Sequence, residues 1–99
     1  MQWLDQPIWK SILVNKPDLF LFLGDAIYGD FDGRQAFVLS EECLLRDWSK
    51  LASQSGFQKL RKKIPVLATW DNHDYGKHDG GTEFSEKEMS KKVFLEFFW

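Results

Sequence analysis

The chain has 99 residues, 43% of them hydrophobic, and its 13 Lys and Arg stand against 15 Asp and Glu for a net charge of −2. That near balance argues against a nucleic-acid-binding patch, which shows a basic excess on one face. An aromatic share of 16% argues equally against an acidic disordered tail, and the longest apolar run, Leu19–Leu23, is far shorter than the roughly 20 residues of a transmembrane segment.

The amino end has no basic stretch, and Asp5 stands where the apolar part of a signal peptide would be. Pro7 suits the first turn of a helix, with Ile8, Trp9, Ile12 and Leu13 on one stripe, and Pro17 ends it near Asn15. Leu19–Leu23, closed by Gly24, predicts a strand buried on both faces, as in a parallel sheet. Gly24 to Arg34 predicts a loop. From Gln35 to about Gln54, Phe37, Leu44, Trp48 and Leu51 recur at helical spacing.

A shorter helix is expected from Phe57 to Lys62, with cations at its carboxyl end. Pro65 to Thr69 predicts a second strand and Asp71 to Thr82 a loop. Ser85 and Glu88 have the spacing of a capping box for a last helix, whose face is Met89, Val93, Phe94 and Phe97. The order predicts an α/β fold, a βαβ unit with parallel strands, flanking helices and a right-handed crossover. The chain ends on Phe97, Phe98 and Trp99, three large apolar residues that read as the cut end of a longer protein.

In such sheets ligands sit beyond the carboxyl ends of the strands. Gly24-Asp25-Ala26-Ile27-Tyr28 follows the first strand, and Trp70-Asp71-Asn72-His73-Asp74-Tyr75 follows the second. Taken singly, Asp25 reads as a turn residue and Tyr28 as a half-buried core residue. Taken together, a carboxylate, a phenol, an amide and an imidazole at one sheet edge suit Fe3+, Mn2+, Zn2+ or Ca2+. Two such ions can clamp both ends of a phosphoryl displacement.

Leu23-Gly24-Asp25-Ala26-Ile27-Tyr28 and Thr69-Trp70-Asp71-Asn72-His73-Asp74-Tyr75-Gly76 resemble two signature blocks of PhoD-like alkaline phosphatases, of the calcineurin-like metallophosphoesterase superfamily. Gln6-Pro7-Ile8-Trp9, Lys16-Pro17-Asp18-Leu19-Phe20 and Pro65-Val66-Leu67-Ala68 are also similar to that family, so the resemblance covers nearly the whole chain. It implies a metallophosphoesterase sandwich of which this chain is an internal piece, truncated at both ends. It implies hydrolysis of small phosphate esters by a metal-bound hydroxide at a two-metal centre, expected as Fe3+ with Ca2+, or with Mn2+ or Zn2+.

By the same resemblance Asp25 bridges the ions, Tyr28 ligates ferric iron and Asn72 ligates the second metal. His73 then binds the substrate phosphate or protonates the leaving group, and Asp74 holds its imidazole. Relatives of this type are often exported. Asp25, Tyr28 and Asn72 fall short of the about four to six donors that each ion takes, so the 99-residue chain by itself is expected to be inactive. The alternative is a non-catalytic truncated fragment, or a partner-binding remnant, of such an enzyme.

The remaining polar residues take plainer readings. Cys43, the single cysteine, is expected as a small core residue. Asp30, Asp32 and Gly33 fail the spacing of a calcium-binding EF-hand and read as solvated loop. Lys59, Arg61, Lys62 and Lys63 read as a solvated helix end, and His78 and Asp79 as loop near the mouth of the cleft.

Overall fold

A computed structural model describes residues 2–31 and 39–99. Pro7 leads into helix α1, Ile8–Val14, and Asn15 closes it. Trp9 is buried and Ile12 and Leu13 are half-buried, whereas Ile8, expected on the same stripe, turns to solvent. Strand β1 is Phe20–Leu23 and strand β2 is Val66–Thr69. They are hydrogen-bonded neighbours and parallel, in the register Phe20 to Val66 through Leu23 to Thr69. The α/β class and the parallel βαβ arrangement expected from the strand sequences are therefore present.

The burial of the strands differs from expectation. Phe20, Phe22, Val66 and Ala68 face the helices, while Leu21 is 48% exposed, Leu23 76% and Leu67 43% on the other face. Side chains alternate across a strand, so helices packed on one face leave the other uncovered among the described residues. A continuous apolar run carries no mark of which face has a covering layer.

Helix α2 is Glu41–Ser53, and the Ser40 hydroxyl caps it by accepting from the Cys43 amide. The expected helix from Gln35 begins later than that: Leu39 and Ser40 are not helical, and Gln35 and Phe37 lie outside the described residues, as do Asp32, Gly33 and Arg34. Ser40 in an extended conformation can satisfy an amide of the first turn, which sets the start where its side chain reaches. Helix α3 is Ser55–Lys63, with Arg61, Lys62 and Lys63 at its carboxyl end. All three are solvent-exposed, and the Arg61 guanidinium also covers the Phe97 ring at 5.1 Å.

A one-turn helix α4, Asn72–Tyr75, replaces part of the loop expected after β2. The last helix, α5, is Lys87–Phe98; its Ncap is Glu86, without a side-chain cap, so the expected Ser85–Glu88 capping box does not form. The Ser85 hydroxyl donates instead to the Glu86 carboxylate.

The core lies between the covered sheet face and the helices. Leu44, Trp48 and Leu51 of α2 meet Val93 and Phe94 of α5, and Phe57 and Leu60 of α3 complete it. Trp48 packs against Phe97 at 4.5 Å and Trp9 against Phe57 at 5.1 Å. Phe97 and Phe98 are thus part of this packing, while Trp99 is exposed. Cys43 is half-buried. Burial of large aromatic side chains at about 1.5–3 kcal/mol each is the main force holding the helices against the strands. No helix among the described residues is long and apolar enough to cross a membrane.

Candidate functional site

Because β1 and β2 run parallel in register, the chain leaves both at the same edge, through Gly24 and Trp70. The two exits are pressed together. Gly24 has φ +116, and a Cβ there would lie 2.6 Å from the Asp71 Cβ. Asp25 follows at φ 50, in the left-handed region, which aspartate tolerates better than most residues. It presents an exposed side chain at the edge.

Asp74 is the post to which the loops are tied. Its Oδ1 accepts the Ile27 amide at 2.9 Å, across 47 residues of sequence, and its Oδ2 accepts the Asp71 amide at 3.0 Å. The Asp71 side chain caps the same turn in return, forming a capping box, and Gly76 closes it in the left-handed conformation. Asp74 is 0% exposed. Burial pushes its carboxyl up to about 6, against the pull of the amides of Ile27, Asp71 and Asp25.

The imidazole of His73 is held by a different acid. Nδ1 of His73 lies 2.7 Å from Oδ1 of Asp30, which is 6% exposed. The expectation that Asp74 holds this ring is therefore corrected: both oxygens of Asp74 face backbone amides. The solvated-loop reading of Asp30 is corrected with it. Gly29 makes the approach possible. Its amide donates to the His73 carbonyl at 3.0 Å, and a Cβ on it would lie 2.5 Å from Leu44 Cδ2. The Gly29-Asp30 pair in the loop after β1 was the one available signal, since glycine marks close backbone approach.

Three rings stack across the edge. Tyr28 lies 4.3 Å from His73, centroid to centroid, and His78 lies 5.5 Å from His73 on a nearly parallel plane. His78 Nδ1 is 3.0 Å from the Asn72 Nδ2, and the Asn72 Oδ1 accepts the His73 amide at 3.0 Å. His78, which the sequence places no more closely than near the cleft mouth, thus sits in the cluster. The Tyr28 phenol titrates above its ordinary range, first through burial and then through the charges of Asp25, Asp74 and Asp30.

The donors expected for metal suit a hard cation in kind, as a carboxylate, a phenol and an amide oxygen at one sheet edge. They fall short in number: among the described residues no group of three or more His, Cys, Asp and Glu side chains is arranged to hold an ion. The surrounding carboxylates make the site negative, a field that attracts cations and repels phosphate.

With Nδ1 facing a carboxylate, His73 is expected to carry its proton there when neutral, leaving Nε2 as the free nitrogen. Long-range proton–nitrogen spectra of the imidazoles check this. Asp30→Asn should erode the preference, and an Nε2–H tautomer for His73 in the parent chain would contradict the pairing.

No protein-family model, no curated protein and no solved structure matches this chain.

Proposed function

We propose that the chain carries part of the active site of a metal-dependent phosphoric ester hydrolase of the PhoD-like type, with His73 as its proton donor. The observation that supports this reading most is the His73–Asp30 pair at 2.7 Å, set beside Asp25, Tyr28 and Asn72 where two parallel strands end. A strand end is where an open α/β sheet offers backbone and side-chain groups to a ligand. An imidazole oriented by a buried carboxylate is the usual form of a general acid.

In the reaction, water adds to phosphorus and the ester P–O bond breaks. The alkoxide or phenoxide that leaves needs a proton, and imidazolium Nε2–H of His73 can supply it. Asp30 keeps the ring oriented through its contact with Nδ1. Asp74 does not touch the imidazole; it positions the two loops, so that the Asp30 and His73 segments meet. Asp25, Tyr28 and Asn72 are the residues that would hold a cation. A cation held there would supply the positive charge that a phosphate needs next to Asp25, Asp30 and Asp74.

Binding can be read without turnover. Titrated with Mn2+, whose unpaired electrons broaden nearby resonances, the chain should lose the amide signals around Asp25, Tyr28 and Asn72 first. Asp25→Asn should weaken that response by about tenfold, the loss of one charged ligand at roughly 1.4 kcal/mol. Broadening that begins elsewhere, or is unchanged in the variant, counts against the metal reading. Added Mn2+, Ca2+ or Fe3+ should not bring the 99-residue chain to hydrolyse an aryl phosphate above background, because its donor set is incomplete.

A further inference from the structure

Next to this cluster lies a cavity of about 430 Å³ that shares Asn72 with the residues that would hold a cation. Trp70 and Tyr75 wall it, their rings edge to face at 5.4 Å. Asp71, Asn72, Lys87 and the loop from Gly80 to Thr82 complete the rim. The size falls in the range of about 300–1,000 Å³ typical of small-molecule sites.

The wall opposite the aromatic rings is held by its own hydrogen bonds. The Tyr75 hydroxyl donates to the Gly81 carbonyl at 3.1 Å, and Lys87 Nζ donates to the Thr82 carbonyl at 2.7 Å. The Gly81 amide donates to the Glu83 carboxylate at 3.0 Å. These bonds tie the 80–83 loop to the aromatic wall and to α5, so the opening between them has a defined shape.

We propose that this cavity binds a planar aromatic group, the alcohol portion of an aryl ester whose phosphate lies at His73. The assignment of that group as a leaving group rests on the hydrolase reading; the binding of an aromatic ring does not. Two features carry it. Trp70 and Tyr75 place two rings, packed edge to face, in the wall of the cavity, and a third ring can pack against such a pair by offset or edge-on contact. Asn72 belongs to both places: it lines the cavity, and its side-chain amide touches the His78 ring that stacks on the His73 imidazole. The alcohol portion of an ester held at His73 therefore has this cavity beside it.

Titration of the isotopically labelled 99-residue chain with phenol, and separately with cyclohexanol, tests the proposal. Phenol should shift the Trp70 indole N–H and the amides of Gly81 and Thr82 saturably, about three- to tenfold more tightly than cyclohexanol, the margin expected of ring packing. Thr82→Phe, at an exposed loop position, should fill the cavity and abolish the response while the rest of the spectrum stays as it was. Should that variant lose its dispersed spectrum, Trp70→Phe serves instead, with a weakened response at Gly81 and Thr82. Equal affinity for the two alcohols, or shifts spread over other surfaces, would overturn the proposal. The Mn2+ titration separates the two ideas: failure there with a phenol response here removes the hydrolase reading and leaves the aromatic site. The converse pair of results removes only the aromatic site.

Discussion

Unfolded by urea at a series of pH values without added metal, the chain should show an Asp74 contribution that falls by roughly 3 kcal/mol as pH rises from about 4 to about 6. The sign follows from the direction of the shift. Burial raises the Asp74 carboxyl from 3.8 to about 6, so in that window the folded chain binds more protons than the unfolded one. Stability from this group is complete below pH 4 and is lost as pH rises through the folded value. Asp74→Asn isolates the effect, because the difference between parent and variant cancels the other carboxylates. That difference should vary with pH across the window by the stated amount and be flat above it. The variant also presents an N–H2 group where a carboxylate oxygen accepts the Ile27 or Asp71 amide. A buried amide left without an acceptor costs about 1–3 kcal/mol. A parent–variant difference that stays constant from pH 4 to 6 would show that Asp74 is not buried as a lone carboxyl.

Gly24→Ala should destabilise the chain by about 2–4 kcal/mol, through backbone strain and overpacking together. The added methyl meets the Asp71 Cβ at 2.6 Å, and the φ of +116 is one that an alanine rarely adopts. Neither problem has a cheap escape. Asp71 is held by the capping box with Asp74, and moving Gly24 draws on the register of β1 with β2. Thermal unfolding reads the loss as a lowered midpoint, by about 4–8 °C for each kcal/mol in a chain of this size. The same splaying of the loops should disturb the His73–Asp30 contact, visible as a changed tautomer balance. A midpoint within a degree of the parent would mean that the two strand exits are not in contact.

Local pattern made much of the fold legible. Pro7 and Pro17 bracketed α1, the apolar runs ending at Leu23 and Thr69 marked the strands, and the helical spacing of Leu44, Trp48 and Leu51 marked α2. These signals depend on neighbours a few residues apart, where propensity and periodicity operate. The juxtaposition of the Asp25 and Asn72 loops was legible too, since parallel neighbouring strands must release their chains at one edge. Ser85 and Glu88 misled because capping-box spacing recurs by chance, and the helix began one residue later, at Lys87 behind Glu86.

The α/β order of elements, and the set of polar residues brought to one edge of the sheet, follow from local patterns along the chain. How those residues pair depends on the packing of segments far apart in sequence. Asp30 and His73 are 43 residues apart and meet at 2.7 Å because Gly29 lets the first loop close on the second. Asp74, adjacent to His73 in sequence, turns away to accept amides from Ile27 and Asp71. A hydrogen bond forms over a few tenths of an ångström, and that placement comes from the packing of whole loops, which residue order along the chain does not encode locally. The covering of one sheet face and not the other has the same origin: alternation assigns side chains to faces, and the packing of helices decides which face is buried.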